Sequence, residues 1–69
     1  MTYGELTRRL RRLGVRYERH GRGSHEIWVN PASRSVALIP NHGSRELATG
    51  TVRSILKQLG LTEDDLRNA

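Results

Sequence analysis

The 69-residue chain predicts a two-layer α+β fold: a three-stranded antiparallel sheet with two helices on one face, in the order α-β-β-β-α. Three observations predict it. Leu6, Leu10 and Leu13 recur at helical spacing near the start of the chain. Val52, Ile55, Leu56 and Leu59 form a second helical stripe near its end. Between them lie three short β-rich runs whose connections are too brief for a crossover helix, so the strands must form an antiparallel meander. Residues 1–69 read as one domain, without repeats, low-complexity segments or linkers.

Thr2 and Glu5 have capping-box spacing, so the first helix should begin at Tyr3 and close at Gly14. Arg8, Arg11 and Arg12 fall opposite its leucines as a solvated face, with Glu5 placed to pair with Arg8 and Arg9. Val15 to His20 alternates as a strand, with Val15 and Tyr17 facing one way and Arg16 and Glu18 the other; the Gly21–Ser24 loop then reverses the chain. Glu26 to Val29 is the second strand, and Asn30-Pro31-Ala32-Ser33 suits a type I turn with proline in second place. Ser35 to Ile39 is the third, which Pro40 terminates. This strand is apolar on both faces, Val36 and Leu38 on one and Ala37 and Ile39 on the other, so another chain is expected to cover part of the sheet. A polar connection from Asn41 to Ala48 leads to the second helix, Thr49 to Leu59, closed by Gly60. Thr62 and Asp65 start a short terminal helix.

A domain this small buries only about 60% of the surface its unfolded chain exposes, which favours a dimer or a hetero-oligomer. With no cysteine, disulfides and thiolate zinc sites are excluded. No apolar run is long enough to span a membrane and Met1-Thr2-Tyr3-Gly4 opens no signal peptide, so a cytoplasmic protein is expected. The net charge is +5, carried largely by arginine, which grips phosphate through a planar donor fork and points toward nucleic acid. An arginine-rich surface of no particular function would give the same composition.

Gly21-Arg22-Gly23-Ser24-His25 is a short basic loop that places a histidine at the start of an apolar strand. It is not a dinucleotide loop, because Glu26 stands where the third glycine belongs and a strand follows. It is not a Walker loop, which needs Gly-Lys-Ser/Thr. His20, His25 and His42 lack the spacing of a metal clip, so neither metal nor cofactor is expected. A metal-free ribonuclease needs less, because RNA carries its own nucleophile in the ribose 2′-hydroxyl. His25 is the candidate catalytic residue, His42 the candidate for a second proton transfer, and Arg22 with the N–H groups of Gly23 and Ser24 the candidate phosphate contacts. Arg53 and Lys57, four residues apart on the second helix, could hold an RNA backbone or merely solvate its edge. Trp28 could stack on a base or fill the core. A non-catalytic RNA-binding module is the alternative reading of the same features.

Gly23-Ser24-His25 leading into Ile27, then Val36-Ala37-Leu38-Ile39-Pro40 with His42, then Glu46-Leu47 and the block Gly50 to Leu61, resemble the HicA toxins of HicAB toxin–antitoxin modules. The resemblance implies a double-stranded-RNA-binding-domain-like fold and an mRNA interferase whose catalytic histidine maps onto His25. It also implies a HicB-type antitoxin that binds the toxin and blocks the site. Members of that family often carry proline where Thr49 stands; threonine could cap the helix instead.

Overall fold

The computed structural model describes all residues 1–69. The elements are α1 (Tyr3–Arg12), β1 (Arg16–His20), β2 (His25–Asn30), β3 (Ser35–Pro40), α2 (Thr49–Gln58) and a short α3 (Glu63–Arg67). The strands form one antiparallel sheet in the order β1-β2-β3, with the helices packed on a single face. The expected α+β order is present, and it is compatible with a double-stranded-RNA-binding-domain-like architecture.

The residues that the sequence marked delimit α1 at both ends and α2 at its C-terminal end. The Thr2 hydroxyl accepts from the N–H of Glu5, and the Glu5 carboxylate accepts from the N–H and hydroxyl of Thr2. That carboxylate is therefore turned back onto the cap, and the expected ion pairs with Arg8 and Arg9 do not form. Gly14 and Gly60 adopt positive φ, 89° and 71°. Beyond them Val15 N–H donates to Leu10 O and Leu61 N–H to Leu56 O, so both helices end in Schellman motifs. One expectation needs correcting: Ala48, not Thr49, is the N-cap of α2, and no side chain caps it.

The core lies between the helices and the inner sheet face. Leu6 and Leu10 of α1 and Ile55, Leu56 and Leu59 around α2 bury against Trp28, Ala37 and Ile39. Trp28 is 1% exposed. Its indole N–H donates to Tyr3 Oη at 3.0 Å, Tyr3 and Tyr17 pack against it edge-on, and the Arg11 guanidinium stands 4.9 Å from its ring. It is a core residue, unavailable for stacking on a base. Val15 lies just before β1 and is buried, and a register shift between Tyr17 and Arg19 interrupts the alternation expected of this strand.

The β2–β3 turn sits one residue later than expected. Arg34 N–H donates to Pro31 O, so Pro31 opens the turn, and Arg34 closes it at φ 55°. Asn30 is thereby freed for a different task. Its side-chain N–H donates to Leu59 O at 2.8 Å while its oxygen accepts from Ala32 N–H, and Ser33 Oγ donates to the same Leu59 carbonyl at 3.0 Å. The end of α2 is thus fastened to the turn end of the sheet, opposite the end where β2 begins at His25.

Candidate functional site

The β1–β2 hairpin presents the site. Gly21 N–H donates to His25 O at 2.9 Å, and His25 N–H donates to Arg22 O at 3.0 Å. The four residues Arg22 to His25 therefore form a turn whose first central residue, Gly23, has φ 60°, the pattern of a type II′ hairpin turn. Gly21 serves a different need: a Cβ there would lie 3.1 Å from the His25 carbonyl oxygen and 3.4 Å from Ile27. The N–H groups of Gly23 and Ser24 donate to no other part of the chain.

His25 is exposed, and its Nδ1 lies 3.3 Å from the Arg22 carbonyl oxygen. A carbonyl can only accept, so in the neutral ring this contact puts the proton on Nδ1 and the lone pair on Nε2. That leaves the basic nitrogen free to take a proton from a ligand. Beside it, Asn41 N–H donates to Ser24 O at 2.8 Å, continuing the ladder one step past the His25–Pro40 pair. The segment carrying His42 therefore leaves the sheet alongside the His25 loop. Arg45 N–H bonds to His42 O, and Leu47 N–H bonds to Met1 O at 2.9 Å, so this connection is held at both ends.

No three histidine, aspartate or glutamate side chains are arranged to hold a metal ion. A shallow groove of about 230 Å³ lies among the helices, lined by Arg9, Val52, Leu56 and Leu66. None of the candidate site residues lines it. Arg22, Gly23 and His25 stand instead exposed on the β1–β2 turn, where a polymer can reach them without entering a cavity.

The family described as HicA toxin of bacterial toxin-antitoxin matches residues 3–61. The chain belongs to the HicA toxin family. A probable mRNA interferase HicA from Pseudomonas fluorescens (strain Pf0-1) is 39% identical over 64 residues, covering 91% of this chain and 100% of that protein. No solved structure matches significantly. The HicA match spans the hairpin, the His42 segment and α2, so every candidate residue falls inside it.

The structure groups these residues unequally. Arg22, Gly23, Ser24 and His25 share one turn, and His42 follows on the adjoining backbone. Arg53 and Lys57 are elsewhere, on α2. Lys57 lies within a turn of Leu59, whose carbonyl is bound at the opposite end of the sheet from His25. Arg53 is engaged by Glu63 at 3.0 Å, which reduces its freedom to hold phosphate. His20, to which the sequence assigned no role, has a carboxylate partner: its Nδ1 lies 2.7 Å from Glu26 Oε1. The hairpin register pairs these two residues, so counting back from the turn would have found the contact. The alternation of β2 sets Glu26 and His25 on opposite faces of the sheet.

Proposed function

We propose that this chain is an mRNA-cleaving endoribonuclease that works by histidine acid–base catalysis without a metal, and that a HicB-type antitoxin neutralises it. The observation that carries the reading is the exposed His25 ring, with Nδ1 turned to Arg22 O and Nε2 free, on a basic loop whose next two N–H groups are unused. Family membership and the name of the Pseudomonas fluorescens relative support the same activity.

In the proposed reaction, His25 Nε2 takes the proton from a ribose 2′-hydroxyl. The freed oxygen attacks the adjacent phosphorus, and the bond from phosphorus to the 5′-oxygen breaks. His42, protonated, gives its proton to that leaving oxygen. The products are a 2′,3′-cyclic phosphate and a 5′-hydroxyl. The Gly23 and Ser24 N–H groups and the Arg22 guanidinium would neutralise the charge that builds on the phosphate oxygens. Arg53 and Lys57 would hold flanking phosphates of a longer strand.

The deciding experiment incubates an mRNA with wild type and with His25→Ala in EDTA, and identifies the fragment ends by mass spectrometry. Cleavage by wild type alone, leaving cyclic phosphates, is the expected result. Equal RNA binding by both proteins with cleavage by neither would make the chain a binding module. Loss of wild-type cleavage on adding EDTA would overturn the metal-free chemistry.

A further inference from the structure

The sheet face turned away from the helices has an ordered composition. Its register places Arg16 opposite Val29 and Val29 opposite Val36, then Arg19 opposite Ile27 and Ile27 opposite Leu38, and finally His25 opposite Pro40. Paired residues in an antiparallel sheet point to the same side. The outer face is therefore a column of arginines along β1, two apolar columns on β2 and β3, and His25 in the end row. Val36 and Leu38 are 54% and 53% exposed, among the three large hydrophobic residues exposed on the molecule. Arg16 has no ion pair, and the only carboxylate beside this column is Glu18, 3.7 Å from Arg19.

From this arrangement we propose that the outer sheet face is the docking surface for the cognate antitoxin. The antitoxin would meet it with an apolar centre over Ile27, Val29, Val36 and Leu38, and with carboxylates along Arg16 and Arg19. Contiguous exposed aliphatic surface of this kind marks a protein contact. RNA is a poor occupant, because the two apolar columns offer neither an aromatic ring for a base nor a donor for phosphate. A second copy of the chain is disfavoured, since it brings a net charge of +5 and the same arginine column. The position of His25 in the end row gives docking a consequence. An occupant seated from Val36 to Pro40 covers the approach to that ring, so the contact that buries the apolar columns also excludes substrate. This consequence rests on the nuclease reading above; the docking surface does not.

The test is calorimetric titration of the cognate antitoxin into wild type, Val36→Glu, Val36→Lys and Arg16→Glu, with RNA cleavage measured separately in the absence of antitoxin. Val36→Glu is expected to weaken antitoxin binding at least about 30-fold, as loss of a central apolar contact does. Val36→Lys should cost less than Val36→Glu, because the partner's rim is acidic, and Arg16→Glu about tenfold. Cleavage by all three variants should match wild type. Antitoxin affinity unchanged in Val36→Glu and Arg16→Glu would overturn the proposal. So would loss of RNA cleavage with antitoxin binding intact, or a wild-type homodimer that Val36→Glu dissociates. Wild type that binds antitoxin but cleaves no RNA would sink the nuclease reading, while the binding data still decide the docking face.

Discussion

The N–H of Asn41 donates to the carbonyl of Ser24 at 2.8 Å. One backbone bond thus joins the residue preceding the candidate base, His25, to the residue preceding the candidate acid, His42. The two histidines are 17 positions apart in sequence, yet the sheet register brings the segment that carries His42 out of β3 alongside the turn that carries His25, with its free Gly23 and Ser24 N–H groups. A general acid, a general base and phosphate donors are what transesterification of RNA requires.

His25→Ala should lower cleavage by about 10²- to 10⁴-fold, the range of one acid–base contribution. Its exposed side chain makes a single 3.3 Å contact, so the thermal midpoint should barely move. Parallel rate and melting measurements check this. A collapse in stability would make His25 structural.

His42→Ala should lower the rate of RNA cleavage by about 10²- to 10⁴-fold, because the 5′-oxygen must then leave without a positioned proton donor. A substrate whose 5′-oxygen is replaced by a nitrophenol leaving group needs no such proton and should restore much of the rate. Failure of that rescue would remove His42 from the reaction.

Gly21→Ala should impair cleavage more than Gly23→Ala for its cost in stability. The new methyl at position 21 would crowd the His25 carbonyl at 3.1 Å and displace the residue that bears the imidazole. At position 23 there is open space, and the penalty is the positive φ of 60°, about 1–2 kcal/mol. Comparing relative rate with unfolding free energy for the two variants separates misplacement from simple destabilisation.

Features governed by nearest neighbours were legible in the sequence. The Thr2–Glu5 cap, the Gly14 and Gly60 helix ends and the exposed Val36 and Leu38 all follow from local spacing and alternation. Features that depend on which groups compete for one partner were not. Glu5 had both a cap and two arginines within reach, and the cap took it. Asn30 suited the opening of a turn, but a buried carbonyl at Leu59 claimed its side chain. At the site, the turn around His25 was readable from its glycines, and the proximity of the His42 segment required the β2–β3 register. The partner of His20, Glu26, follows from counting back across the hairpin; that of Arg53, Glu63, lies on another helix, where sequence spacing carries little signal.

Asn30→Ala should destabilise the fold by about 1–2 kcal/mol, less than leaving a buried carbonyl with no donor costs, because Ser33 still donates to Leu59 O. A domain of this size would lose roughly 4–8 °C per kcal/mol. Asn30→Ala combined with Ser33→Ala should cost more than the two single losses together, since only the pair leaves the carbonyl without a side-chain donor. A double-mutant cycle in urea checks it, and strict additivity would refute the shared role.

Stability should also decline at both ends of the pH scale for identifiable reasons. The N–H of Thr2, and then its hydroxyl, hold the Glu5 carboxyl below its ordinary pKa of 4.5. That contribution is present above 4.5 and is lost as pH falls through the lowered value. Urea midpoints measured from pH 7 to pH 2 should therefore fall less steeply for Glu5→Gln than for wild type.

At the alkaline end the group is Tyr3. Burial raises its phenol above the ordinary 10.0, although the hydrogen bond from Trp28 works in the opposite direction. A raised pKa in the folded state means that the folded chain keeps the proton longer than the unfolded one. The associated stability is complete below pH 10 and is lost as pH rises through the higher folded value. Tyr3→Phe deletes that titration and also leaves the buried Trp28 N–H without its acceptor, at a cost of about 1–3 kcal/mol. The variant should be weaker than wild type at neutral pH, and the gap should narrow above pH 10 as the wild-type phenol ionises. A gap that stays constant to pH 11.5 would mean that Tyr3 ionises equally readily in both states and that its burial has no electrostatic consequence.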